Sequence, residues 1–454
     1  MKKKLKIAWF TPFCSKSAIG AYSNIICTEL SKYAEVSVFV NSDELKGDVI
    51  IDSDNIVEYY SPDEVETINL SRFDRVIYNL GNNYKYHGTI FDISQRISGI
   101  IILHDINMHH FFHGYFIEKY GSLDYYKHLV ENFYGNCIDD YNQNRVNEDS
   151  FWDSEHAVAK GLNPPAIKNA LGIIVHSKYH EKILKDIKTA PVNVIHFPSV
   201  KEIVEKQQKQ VKSNFNSTRV TILTTGHVNS NKKVDFVINA FLQSKILRNK
   251  AQYLILGEYN EESGYYLSLK KLIEDNKLQS RIKFLGRKDD EDFFSYLFGT
   301  DIYANFRYPN FEGSSWSLLE QLTIGKPILA FNTGCYEEIP EDVIHKIDGY
   351  DVEKLVEKLE ELVLDAEKRK SSEKKAKEFA EEFFSTKKYV NTLLGFISEV
   401  NNFEPLVSTT DKVIKIAREI ELLPNSTTTT EIKNKTSLLR EKEICQTGKK
   451  INVY

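Results

Sequence analysis

Strand-like runs alternate with helical patterns in two successive series, and this alternation restricts the fold more than any other feature of the chain. The first series holds KLKIAWFTP from Lys4 to Pro12, then Val36 to Val40, Arg75 to Leu80, Gly99 to Leu103, Gly172 to His176 and Asn193 to Phe197. A helical pattern runs from about Ala18 to Tyr33. In the second series, strands at Val220–Thr224, Tyr253–Leu256 and Ile282–Leu285 are spaced by helices at Val234–Ser244, Tyr265–Asn276 and Glu291–Phe298. Strands separated by helices pair in parallel. The expected class is therefore α/β, with two Rossmann-like domains whose parallel sheets face a central cleft.

Boundaries follow from composition. Residues 1–200 form the first domain, with a mostly helical, aromatic insertion over 107–168. Residues 201–218, KEIVEKQQKQVKSNFNST, are polar and lack a strand pattern, so they read as a linker. Residues 219–387 form the second domain. Tyr389, Leu393, Phe396, Ile397 and Val400 recur at helical spacing over 388–400. In the tail, 401–454, one helix is expected at Asp411–Leu422, and NSTTTT at 425–430 suggests weak order.

Several function classes are disfavoured. A net charge of −5 gives no global nucleic-acid footprint. No window nears 18 uninterrupted apolar residues, as a membrane helix needs. Met1-Lys-Lys-Lys-Leu-Lys mimics a signal n-region, but the short apolar run after it continues as a strand, so a signal peptide is not expected. The cysteines are five, scattered, and without metal-ligand spacing, which fits reduced thiols in the cytoplasm.

The stretch from Asp301 to Ile339 carries the most chemistry. Glu312 precedes a helix, Glu320 lies within it, and Gly313, Ser314 and Ser315 stand between them. Small residues let a ligand approach the backbone, and free amides at a helix start attract anions. Such a site suits a ligand that is part phosphate and part polyol. The plainer reading is a capping box, Ser317-Leu-Leu-Glu320, beside ordinary turn chemistry at Glu312-Gly313. In the first series, Gly20 opens a helix, and His104-Asp105 follow the strand GIIIL at the end where open α/β sheets bind ligands. Helix packing is the plainer reading for Gly20.

Glu312, Glu320, Thr323-Ile-Gly-Lys-Pro327 and GCYEEIP at Gly334–Pro340 occur in the order found in retaining glycosyltransferases of family 4, which have the GT-B fold. The chain resembles that family over roughly residues 4–400, and NLGNN with ILHD resembles members from cell-surface polysaccharide pathways. Cys335 replaces the family's second Gly. TTGHVNSNKKVDF aligns Lys232 with the family's Lys, Lys233 with its Gly, and His227 with its Arg. Two lysines at a solvated helix start would oppose the helix dipole, which favours a phosphate there.

The resemblance implies a sugar transfer from a nucleoside diphosphate donor, and a helix over 388–400 that crosses back to the first domain. Lys232, with His227, would stabilise the leaving diphosphate. Glu320 would hold the ribose, and Glu312 a hydroxyl of the transferred sugar. Backbone amides of Gly313, Ser314, Ser315 and Trp316 would contact sugar and phosphate, with Gly20 approaching closely. His104 would act near the transferred sugar, and Asp105 and His109 on the acceptor side. No metal or further cofactor is implied. The expected partners are the donor, a glycan or lipid-linked acceptor and a peripheral contact with the inner face of a membrane. Two rivals stay open: a catalytically inactive GT-B partner subunit, kept alive by His227, and a nucleotide-sugar epimerase of the same fold.

Overall fold

The computed structural model describes residues 4–12, 17–42, 56–61, 68–135, 160–185, 190–212 and 215–401. The chain divides into two compact units, the first taking the described residues up to 196 and again from 386, the second 197–385.

In the first unit the order is β1 (Leu5–Phe10), α1 (Ala18–Leu30), β2 (Ala34–Asn41), β3 (Ile56–Tyr60), β4 (Arg75–Leu80), α2 (Tyr84–Arg96), β5 (Gly99–Leu103), α3 (His109–Tyr120), α4 (Asp124–Tyr134), α5 (Pro164–Ile167), β6 (Ala170–Val175), α6 (Lys178–Leu184) and β7 (Val192–Val194). The strands form one sheet in the order β3-β2-β1-β4-β5-β6-β7. All its pairings are parallel. Burial on both faces explains why β5 and β6 read as unbroken apolar runs, GIIIL and ALGIIV.

The second unit holds α7 (Lys201–Gln210), β8 (Val220–Thr225), α8 (Val234–Gln243), α9 (Lys245–Lys250), β9 (Ala251–Leu256), α10 (Gly264–Asp275), β10 (Ile282–Gly286), α11 (Asp290–Gly299), β11 (Ile302–Ala304), α12 (Trp316–Ile324), β12 (Ile328–Phe331), β13 (His345–Ile347), α13 (Val352–Leu364) and α14 (Ala366–Phe383). Its sheet runs β10-β9-β8-β11-β12-β13, again parallel throughout. Strand order reverses between β1 and β4 in one sheet and between β8 and β11 in the other. Connections leave such a switch point in opposite directions, opening a crevice at the carboxyl ends of the strands.

One expectation is corrected. The polar stretch read as a linker begins with helix α7, which packs on α11 and α12 within the second unit. Only Val204 is fully buried there, so no apolar stripe announced the helix. The last helix, α15 (Thr386–Val400), belongs to the first unit and lies on α1. The Tyr22 and Tyr389 hydroxyls bond to each other in that interface. Gly172 makes room for the helix: a Cβ there would sit 2.7 Å from Val400 Cγ2 and 2.8 Å from Phe396 Cζ. The tail expected to be weakly ordered, and its Asp411–Leu422 helix, lie outside the described residues.

Candidate functional site

β8 and β11 are hydrogen-bonded neighbours, with Ile222 opposite Ile302 and Leu223 opposite Tyr303. The loops that follow them therefore leave the sheet side by side. Gly226 follows β8 at φ +103°, and a Cβ there would lie 3.0 Å from Lys232 Nζ. The chain then makes a single 3-10 turn, Ser230–Lys232, capped by Asn229, whose side chain accepts from Lys232 N at 3.2 Å. Lys233 is left-handed at φ 48°, in the position where the resemblance placed a Gly. Asn231 laces this loop to the one after β11: its carbonyl accepts from Tyr308 N at 2.9 Å, and its amide donates to the Pro309 carbonyl.

Lys232 is only 8% exposed and has no ion pair among the described residues. Burial, and secondarily the nearby Arg307 guanidinium, hold its amine well below the usual lysine range. Unpaired buried cations are costly, which marks this position for an anionic ligand.

The same Arg307 reaches the start of α12, where its Nη2 donates to Ser317 Oγ at 3.4 Å. Among the described residues eight other helices carry a side-chain cap at their first turn, with Ser177, Asp289 and Asp351 among the capping residues. Ser315 stands at the corresponding place on α12 and caps nothing; its hydroxyl meets Ser317 Oγ at 3.0 Å. Among the described residues no protein acceptor meets the amides of Trp316, Ser317 or Leu318, and no acid lies in the first turn. A helix start left open in this way presents positive charge and free donors.

The capping-box reading of Ser317 and Glu320 does not hold. Glu320 lies inside the helix and accepts from the Trp316 indole N–H at 2.8 Å. It is 7% exposed. Burial pushes its carboxyl up to about 7, the Trp316 bond pulls it down, and Asp290 adds a smaller push upward. Glu312, half-buried, has its amide held by the Asn310 side chain at 3.2 Å, and its carboxylate pairs with Arg307. Gly313 is buried and Ser314 half-buried between them. His227, just past β8, is exposed. The sequence reading missed Arg307, whose place beside Lys232 depends on strand order rather than on spacing.

The first unit gathers its polar residues at the carboxyl ends of β4, β5 and β6. The Asn79 amide donates to the Phe10 carbonyl at 2.9 Å, and its oxygen accepts from His104 Nε2 at 3.0 Å. His104 Nδ1 lies 3.2 Å from His176 Nε2, and His176 Nδ1 donates to the Ile195 carbonyl at 2.9 Å. His104 is 7% exposed. Burial, then the neighbouring His176, His87 and His180, hold it well below the usual histidine range, so it is neutral at pH 7. Asp105 is half-buried and accepts from Asn82 N at 3.0 Å. Gly20 is buried in the first turn of α1, where its amide donates to Ser17 Oγ at 3.2 Å.

His109 is corrected from an acceptor-side residue to a packing one. It is fully buried; the Tyr126 hydroxyl donates to Nδ1 at 2.8 Å, and Nε2 donates to the Lys160 carbonyl at 2.5 Å. Both ring nitrogens are thus spent on joining α3 to α4 and to Lys160. Of the rings nearby, Phe91, Phe111, Phe112 and Tyr115 are buried in edge-on contacts, whereas Tyr120, Tyr125 and Phe133 stay about half exposed. Among the described residues no group of three or more His, Cys, Asp or Glu could hold a metal ion. Among them, too, no helix is long and apolar enough to cross a membrane.

The segment that carries Lys232, Arg307, Glu312 and Glu320 is the part of the chain with a family match. Residues 205–379 match the glycosyl transferases group 1 family. No curated protein sequence matches the chain. Among solved structures, Anabaena Alr3699/HepE in complex with UDP-glucose is similar at 16% identity and a TM-score of 0.57, over 87% of this chain and all of that one. Sucrose-phosphate synthase from Thermosynechococcus elongatus is similar at 13% identity and a TM-score of 0.58, over 88% of this chain and all of that one. A glycosyltransferase from Rickettsia africae is similar at 16% and 0.57, over 87% and 98%. The fold is that of GT-B glycosyltransferases, two Rossmann-like domains with parallel sheets. The group 1 segment spans the whole second sheet and every donor-side candidate except the buried Gly20.

Proposed function

We propose that the protein transfers a sugar from a nucleoside diphosphate donor to a glycan or lipid-linked acceptor, with retention of anomeric configuration, as a family 4 enzyme of cell-surface polysaccharide or glycoconjugate synthesis. The observation that carries the proposal is the pairing of a buried, carboxylate-free Lys232 with the open start of α12. Lys232, with His227, stabilises the diphosphate as it leaves. Amides at the start of α12 add donors to the phosphates and sugar. Glu320 accepts from the ribose hydroxyls, and Glu312 from a hydroxyl of the transferred sugar. The chemistry asked of the protein is positioning and charge stabilisation. The departing diphosphate helps to remove the acceptor's proton on the same face, so no strong protein base is needed. His104, neutral and fixed by Asn79, hydrogen-bonds near the transferred sugar, and Asp105 serves the acceptor.

A thermal-shift screen against UDP-, GDP-, dTDP- and CMP-sugars tests donor binding, because a ligand that binds only the folded state raises its stability. UDP-glucose comes first, since Anabaena Alr3699/HepE was solved with it. Diphosphate release that depends on acceptor supports transfer. Binding without release under any acceptor would favour the second reading, a catalytically inactive GT-B subunit, to which the exposed His227 in place of an Arg points.

A further inference from the structure

We propose that Arg307 is the second cation of the donor's phosphate site, entering from the loop after β11 instead of the loop after β8. The proposal rests on the donor reading above and adds a residue to it.

Four observations converge on this residue. The position after β8 that a cation would occupy holds His227, which is exposed. The adjoining loop brings a guanidinium to the same end of the sheet, because β8 and β11 are neighbours and Asn231 ties their loops together. The Arg307 side chain is only 12% exposed, with Nη1 on Glu312 and Nη2 donating to Ser317 Oγ at 3.4 Å on the first turn of α12. Its Nε is buried and has no acceptor.

Charge counting then favours an anion. Lys232, Arg307 and the open start of α12 are three positive elements. Glu312 is the one carboxylate among the described residues that pairs with either side chain. An arginine that served only to hold Glu312 gains nothing from lying beside a buried lysine, since like charges repel strongly away from water. A cation at the start of a helix is likewise unfavourable by itself. A diphosphate between them reverses both costs. Arg307 supplies the planar, two-pronged contact that phosphate oxygens favour, and Lys232 a compact point charge. Glu312 then has a second task, which is to aim the guanidinium.

The test compares nucleotides that differ only in the terminal phosphate. The nucleoside diphosphate that binds best among UDP, GDP, dTDP and ADP is titrated beside its monophosphate. The proteins are the unmodified chain, Arg307→Gln, Arg307→Lys, the double variant Arg307→Gln/Glu312→Gln and Lys232→Ala. Arg307→Gln is expected to weaken diphosphate binding about tenfold or more while monophosphate binding changes less than about threefold. Arg307→Lys should recover part of the loss. The double variant leaves no carboxylate unpaired, so it should fold, and it should keep the loss of discrimination. A purely structural arginine would instead weaken both nucleotides alike, or neither. That result, with Lys232→Ala still losing diphosphate selectively, overturns the role of Arg307 and leaves the donor site standing. If Lys232→Ala also fails to discriminate, the donor reading itself falls, and this proposal with it.

Discussion

Burial raises the Glu320 carboxyl and lowers the Lys232 amine, and each shift makes donor binding depend on pH. The Glu320 carboxyl is raised to about 7 from an ordinary value of 4.5. The folded protein therefore holds a proton there that the unfolded chain releases. The stabilisation is complete below the ordinary carboxylate range and is lost as pH rises through about 7, a change of order 3 kcal/mol. Glu320→Gln should flatten the fall in melting temperature between pH 5 and 8, and it should weaken nucleotide binding at every pH. A variant whose melting profile still falls as before would show that another group titrates. Lys232→Ala should lower turnover at least about tenfold, the loss expected when roughly 1.4 kcal/mol or more of leaving-group stabilisation is removed. Unchanged kinetics in folded Lys232→Ala and Glu320→Gln proteins would remove the site assignment. Lys233 offers a test of backbone alone. Its left-handed conformation, φ 48°, strains any residue with a Cβ, so Lys233→Gly should raise stability by about 0.5–1 kcal/mol in denaturant titration. The two glutamates stood out by their spacing within one loop and helix, which survives without coordinates, while Lys232 and the Gly-like position of Lys233 were reached through the resemblance. Arg307 was not, since its meaning comes from a loop on a neighbouring strand. His109 misled because a histidine at the head of an aromatic helix gives no sign of whether its nitrogens face solvent or partners.

Elements were legible where burial on both faces wrote them as apolar runs, as in β5 and β6, or where a helix carried a full stripe, as in α13 and α15. The edge strand β13, three residues long, is too short to stand out. α7 escaped because one buried Val204 is no periodicity. α15 is the element whose removal should matter most to the first unit. Tyr389, Val390, Leu393, Phe396, Ile397 and Val400 are buried along it. Leu393→Ala should cost about 2–5 kcal/mol in denaturant titration, by lost burial and an unfilled cavity. Cutting the chain before Lys388 should destabilise the protein outright, whereas cutting after Asn402 should leave it folded and active. Unfolding by the second cut would make the tail part of the fold.

At the scale of the whole molecule, two parallel sheets were readable from alternation alone, the order of their strands was not, and the return of the last helix to the first unit was readable only through the resemblance. The donor site proposed here is built from cations and amides, so transfer should survive thorough chelation. Loss of activity restored by manganese or magnesium would mean that the phosphate site works differently. The return of α15 has a further consequence, for how the protein is made. Among the described residues the second unit is continuous from 197 to 385, so every strand of its sheet emerges before α15 during synthesis. The first unit begins to emerge earlier but finishes later. Its α1 surface at Tyr22 and its β6 floor at Gly172 wait for a helix translated after residues 197–385. Non-local closure of that kind is slow and leaves apolar surface open meanwhile. A chain ended at Ser385 and released should therefore carry a second unit already resistant to protease and a first unit still vulnerable to it.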